Sequence, residues 1–106
     1  MSNYILSKQA DADLEGIYQY TLDNWGIEQF NLYREKINAA LEAISKEPKL
    51  VQSKAREDLA TGCRFYHVAH HYIVYRIGKK HIEVGRILHE RMNFEEQVSD
   101  TVFLGD

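Results

Sequence analysis

The sequence predicts a single α+β domain spanning residues 1–106. An N-terminal strand and an antiparallel helical hairpin come first. A three-stranded antiparallel meander then packs on the hairpin, and a short C-terminal helix or tail follows. Three observations predict it. Apolar residues recur at helical spacing through two consecutive segments, with one glycine, Gly26, between them. Residues 62–91 are rich in β-branched and aromatic residues and are broken by Gly78-Lys79. The only proline, Pro48, stands between the two regions.

Residues 3–7 (Asn-Tyr-Ile-Leu-Ser) read as the first strand. Ser7 is placed to N-cap the next helix, with Asp11 and Asp13 near its positive end. That helix runs from about Lys8 to Trp25, and Ala10, Leu14, Ile17, Tyr18, Thr21, Leu22 and Trp25 form one face. Gly26 sits where a helix-ending glycine belongs. A second stripe follows in Phe30, Tyr33, Ile37, Ala40, Leu41 and Ile44, and the segment closes at Lys46-Glu47-Pro48. So short a link forces the two helices antiparallel. Residues 49–61 carry no period and read as a loop. Gly78-Lys79 fits a two-residue hairpin turn with glycine first. That turn sets Tyr75 opposite Ile82 and Ile73 opposite Val84, on the face that covers the helices. Tyr72, Val74, Arg76, His81, Glu83, Ile87 and His89 fall on the other face, where Arg76 and Glu83 lie on a diagonal. Residues 92–106 read as a short amphipathic helix with Phe94 and Val98 on one side. The expectation is a loosely held tail available to a target, the alternative a docked cap.

Charge is unevenly placed. Residues 49–91 carry nine Lys and Arg against four Asp and Glu, while the segments on either side are each −4. A basic sheet flanked by acidic segments suggests a surface that meets an acidic partner. The whole chain is −3, which does not suit a protein whose main task is gripping nucleic acid. Seven Tyr and one Trp suit core edges or an interface. The one cysteine, Cys63, can form no internal disulfide and fits a reducing cytoplasm. No apolar run approaches a membrane span, and no basic-then-apolar leader opens the chain.

Two constellations bear on chemistry. His67, His70 and His71 cluster at a turn, but no Cys, Asp or Glu stands beside them in sequence, so polar turn residues are expected and no metal. Arg86, His89 and Arg91 are the right residue types for acid–base work on a phosphate. In a strand, however, Arg86 and His89 point to opposite faces unless the strand ends or bulges near Leu88. Cys63 has no activating neighbour at a telling spacing, so an inert thiol is expected. No phosphate-binding glycine loop, paired-carboxylate motif or nucleophile elbow is present, and no cofactor is expected.

The order of parts resembles the RelE/ParE toxin superfamily, and within it the ParE branch. The resembling pieces are Ser7 to Leu14, Ile17-Tyr18-x-Tyr20, Trp25-Gly26-x-x-Gln29, Tyr33 and Glu47-Pro48. Further along come Leu59-x-x-Gly62-x-Arg64, His71-Tyr72-Ile73-Val74-Tyr75-Arg76 and Ile82-x-Val84-x-Arg86-Ile87-Leu88-His89-x-Arg91-Met92. The chain departs from the pattern at Asn93, where an Asp is common, and at Lys49-Leu50-Val51, where a Gly is common. The resemblance implies a cytoplasmic bacterial toxin, hetero-oligomeric with a ParD-like antitoxin and acting on DNA gyrase by binding. It implies no membrane and no sequence-specific nucleic-acid contact. The superfamily's other mode is cutting mRNA on the ribosome, and Arg64, Arg86 and His89 are the residues such an enzyme would use. A further possibility is a non-toxic relative that only binds antitoxin. The acidic net charge and the absence of a second arginine in His71-Tyr72-Ile73 favour the gyrase branch. Antitoxin contact is expected at Arg64, Tyr72 and Arg76, through an acidic segment that folds as a helix beside the hairpin. Target contact is expected at His89, Arg91, Met92 and Phe94.

Overall fold

The computed structural model describes residues 3–103. The chain runs β1 (Tyr4–Leu6), α1 (Lys8–Trp25), α2 (Ile27–Lys46), β2 (Lys54–Ala55), β3 (Arg64–Val68), β4 (His71–Ile77), β5 (Ile82–His89), α3 (Phe94–Gln97) and a single 3-10 turn, Asp100–Phe103. The sheet order is β1-β5-β4-β3-β2, parallel between β1 and β5 and antiparallel elsewhere. The predicted class holds, with β2 as an addition. Two residues inside a polar loop leave no periodicity to read.

α1 begins where its cap dictates. Ser7 accepts from the Ala10 N–H at 3.0 Å, and its hydroxyl donates to the Gly85 carbonyl at 2.7 Å. One side chain thus starts the helix and ties it to β5. Gly26 closes α1 and opens α2 at φ 88°, ψ 179°, a region in which a side chain is strained. Ala10, Leu14, Ile37, Ala40, Leu41 and Ile44 pack on Ile73, Tyr75, Ile82, Val84 and Ile87 to form the main core. The Tyr75 hydroxyl donates to the Pro48 carbonyl and pins the end of α2 to β4. The predicted α1 stripe is not all buried. Leu22 and Trp25 are exposed.

The β4–β5 hairpin differs from the expected register. Ile77 opposes Ile82, so the loop is four residues, closed by Gly78 N–H donating to the His81 carbonyl at 2.9 Å. Tyr75 therefore opposes Val84, and Arg76 stands directly opposite Glu83, to which it donates at 2.7 Å. Beyond this pair Val74 opposes Arg86, which leaves Gly85 as a bulged residue. The bulge inverts the alternation. Ile87 joins the helix-facing core and Leu88 the opposite one, reversing the expected face for Ile87 and His89.

A second core lies on the far face of the sheet, where Ala60, Cys63, Phe65, Val74 and Leu88 meet Val98 and Val102. Asn93 caps α3, accepting from the Glu95 and Glu96 N–H groups at 3.0 and 3.4 Å, so it serves where an Asp is common. The expected loose tail is instead a docked cap over the residues described. Val98 and Val102 are 4% and 6% exposed, and Asp100 accepts from the Thr61 N–H at 2.7 Å. Residues 104–106 lie outside the described residues. The bulge is the seat of this cap. A Cβ on Gly85 would stand 2.8 Å from Val102 Cγ2 and 2.9 Å from Phe103 Cε1. Gly85→Ala is expected to destabilise the fold by about 1–3 kcal/mol, as overpacking does. Urea unfolding measures it, and an unchanged midpoint would show that the cap yields without cost.

Candidate functional site

A groove of about 900 Å3 runs between the helical hairpin and the far ends of β4 and β5. α1 contributes Gly16, Tyr20, Thr21 and Trp25, and α2 contributes Gln29, Tyr33 and Lys36. The opposite wall is the turn Ala69–His70 with His71, and then Ile87, His89 and Met92. Tyr20 is 63% and Trp25 67% exposed, so the rim offers large rings that the domain itself does not cover. The stripe that forms the core at the start of α1 becomes an open apolar surface at its end.

The β3–β4 turn is held under strain. Val68 opposes His71, so Ala69 and His70 are the two central residues, at φ 48° and 66°. Such a turn suits the sheet's twist but favours Asn and Gly, and non-glycine residues there cost roughly 1 kcal/mol each. Compensation comes from α2 and β5. The Tyr33 hydroxyl donates to the Ala69 carbonyl at 2.8 Å, and His71 Nδ1 lies 3.0 Å from the same oxygen. The Glu90 N–H donates to the His70 carbonyl at 2.9 Å. Tyr33→Phe is therefore expected to cost about 1 kcal/mol in urea unfolding. Adding His70→Gly, which removes the strain, should recover most of that loss. No recovery would show that the turn carries no stored strain.

Sequence distance hid the partner of the histidine cluster. Glu90 lies 20 residues beyond His70, yet its two oxygens meet His67 Nε2 at 2.8 Å and His70 Nδ1 at 3.2 Å. These hydrogen bonds hold the Glu90 carboxyl below the usual range. The cluster is a hydrogen-bonded clasp, and among the described residues no three His, Cys, Asp or Glu could hold a metal ion. His71 opposes His89 across the strands, with ring centroids 5.2 Å apart and edge to face. Burial holds the His71 pKa below that of a free imidazole. Burial also pushes the Cys63 thiol up to about 12, which keeps it from acting as a nucleophile.

The three residues proposed for RNA cleavage do not converge. Arg86 is locked to Asp13 of α1, donating from Nε at 2.8 Å and Nη2 at 3.1 Å, with Nη1 on Gln97 at 3.3 Å. Asp13 also accepts from the Ile87 N–H at 3.0 Å. The bulge falls at Gly85, before both Arg86 and His89, so these two still point to opposite faces. Arg64 turns away to the Ser53 hydroxyl at 2.8 Å.

The residues expected for antitoxin binding are likewise dispersed. Arg64 and Arg76 flank the position of Tyr75 from opposite faces, and Arg76 is taken up by Glu83 and by the Phe103 ring at 4.7 Å. Tyr72 stacks among Phe65, His67 and Phe94 at the other end of β4. Within residues 49–91, Arg56, Arg76 and Arg86 are each paired with a carboxylate inside the molecule, and Arg64 is hydrogen-bonded to the Ser53 hydroxyl. Of the target residues expected, His89 and Met92 line the groove and Arg91 is exposed. Phe94 instead packs on Phe65 and Tyr72 at ring distances of 5.1 and 5.2 Å, in the second core. Among the described residues no helix is long and apolar enough to cross a membrane.

Comparison with known proteins agrees with this architecture. Residues 4–94 match the family model for the ParE toxin of the type II toxin–antitoxin system parDE. Toxin ParE1 of Caulobacter vibrioides is 37% identical over 93 residues, covering 88% of this chain and 94% of that one. Toxin ParE1 of Mycobacterium tuberculosis is 32% identical over 98 residues, covering 92% and 98%. Toxin ParE of Escherichia coli is 32% identical over 102 residues, covering 94% and 96%. In the solved chromosomal ParDE toxin–antitoxin system from P. aeruginosa, one chain matches this fold with a TM-score of 0.68 at 21% identity, covering 84% of this chain and 96% of that one. The chain belongs to the ParE toxin family of type II toxin–antitoxin systems.

Proposed function

We propose that this chain is the toxin of a ParDE-like pair, that it acts by binding DNA gyrase and not by cutting RNA, and that a ParD-like antitoxin neutralises it in the groove. The observation that carries the reading is the fate of Arg86. Its guanidinium is forked onto Asp13 inside the domain, so the cation that a phosphorane would need is already engaged. Binding, by contrast, has a surface. Tyr20, Trp25 and Met92 ring the groove with exposed apolar area, and Lys36 and the histidines add donors. Asp13, which lines the groove, is ion-paired with Arg86, and the oxygens of Glu90 beyond the groove wall are hydrogen-bonded to His67 and His70. An acidic amphipathic segment is the complementary partner.

His89 and Met92 line the same groove and Arg91 is exposed between them in sequence, so an antitoxin segment seated there covers residues proposed to touch the target. Expression of the chain alone tests the proposal. SOS induction and filamentation are the expected result, and the purified protein should cut no ribosome-bound mRNA. Immediate translation arrest with cleaved mRNA would overturn the gyrase reading. Failure to bind the product of an adjacent gene would overturn the antitoxin reading.

A further inference from the structure

Four of the five histidines gather at one end of the molecule. His67 and His70 clasp Glu90, while His71 and His89 face each other across β4 and β5 within the groove wall. Such a concentration is unusual for an apolar docking surface, because histidine is the side chain that gains charge just below neutral pH.

The hydrogen bonds fix what each groove histidine can do. His89 Nδ1 accepts from the Arg91 N–H at 3.1 Å, so that nitrogen is committed as an acceptor. His71 Nδ1 donates to the Ala69 carbonyl, which leaves Nε2 to take up a proton with no bond broken. His71 is only 8% exposed. The groups facing it are His89 from β5, Tyr33 from α2, and His70 and Glu90 from the turn and the end of β5. Lys36 and the Arg86-bound Asp13 line the groove farther along. Among the described residues Glu90 is the one carboxylate that acts on the ring, and both its oxygens are occupied by the other two histidines.

We infer that the groove is a proton-linked docking surface, in which seating a carboxylate-bearing helical segment against His71 draws a proton onto its ring. This rests on the reading of the groove as the antitoxin site. In the free protein burial keeps the ring neutral around pH 7, and the neighbouring imidazoles add to that effect. A partner that excludes water brings a carboxylate within reach and reverses the balance. The sign follows from linkage. The complex then binds more protons than the separated components, so affinity rises as pH falls towards 6 and levels off once the free ring is itself protonated. Asp and Glu of the partner stay ionised throughout this window and contribute nothing to the trend.

Calorimetric titration of the full-length chain with the purified protein encoded beside it, at pH 6, 7 and 8, tests this. Two buffers of different ionisation enthalpy are used at each pH, so that the protons taken up are counted directly. About one proton per complex near pH 6.5 is expected, and a Kd roughly 3- to 10-fold lower at pH 6 than at pH 8. His71→Asn, which keeps a donor for the Ala69 carbonyl, should bind with a nearly flat pH profile. Tight binding with no proton uptake and one Kd at every pH would overturn the linkage and leave the antitoxin reading intact. Uptake unchanged in His71→Asn would also overturn it, by placing the proton elsewhere. No binding at any pH would sink the antitoxin reading itself, and the inference with it.

Discussion

Replacing Asp13 by alanine is expected to destabilise the domain by about 3 kcal/mol, more than any other single polar substitution in the chain. Three donors converge on this carboxylate: Arg86 Nε, Arg86 Nη2 and the Ile87 N–H. The two side chains are 17% and 15% exposed, so water does not readily replace either partner. Truncating Asp13 leaves a guanidinium nearly enclosed beside α1 with only Gln97 to meet it. The loss goes beyond one ion pair, because the Ile87 amide follows the Gly85 bulge and fixes the shifted register. Asp13→Asn should be milder, since an amide oxygen still accepts from Ile87. Combining Asp13→Ala with Arg86→Met should recover part of the loss, because no charge is then stranded. Urea unfolding of the three variants beside the wild type decides the matter. An Asp13→Ala loss below about 0.5 kcal/mol would show that the fork is structurally idle and would reopen a catalytic role for Arg86.

This pair also shows how far the sequence could be read. Asp13 was legible as a helix-start acid, but its partner lies 73 residues away and no local pattern announces it. The limits that capping and apolar period predict for α1, Lys8 to Trp25, are those it has, because both signals are local properties. The β4–β5 register was missed because Gly78-Lys79 has the composition of a two-residue turn, while the chain uses the whole stretch 78–81. Gly85 has no composition cue at all. Its need arises only when Val102 and Phe103 arrive from the far end of the chain. The site was half visible. The histidines stood out, yet Glu90 belongs to them through the pairing of β3, β4 and β5, which places residues 67, 70 and 90 at one end of the sheet. Of the groove's aromatic rim, Trp25 falls on the apolar α1 stripe that the spacing assigns to the core and Tyr20 does not, since periodicity tells which residues share a face and not which of them are covered.

Truncation after Glu90 is expected to cost the fold itself, not only a target contact. The removed segment carries Val98 and Val102, both buried against Phe65, Val74 and Leu88, and the partly buried Phe94 and Phe103. At roughly 1.5–3 kcal/mol per fully buried aliphatic side chain, the two valines alone contribute about 3–6 kcal/mol. A domain of this size commonly has only about 5–15 kcal/mol in total. The cut also removes Asp100 from the Thr61 amide and Phe103 from over Arg76, and it strips the lid from Cys63 and Ala60. The truncated chain should therefore unfold without a sharp transition, or at a much lower urea concentration. Its loss of toxicity would then say nothing about the tail as a target-binding element. Point substitutions separate the two roles. Arg91→Ala and Met92→Ala change exposed residues outside both cores and should leave stability within about 0.5 kcal/mol. If the mouth of the groove meets the target, toxicity falls in these variants while the urea midpoint stays. A truncated chain that unfolds cooperatively near the wild-type midpoint would show that the second core is dispensable. Full toxicity in both point variants would move target contact away from the end of β5.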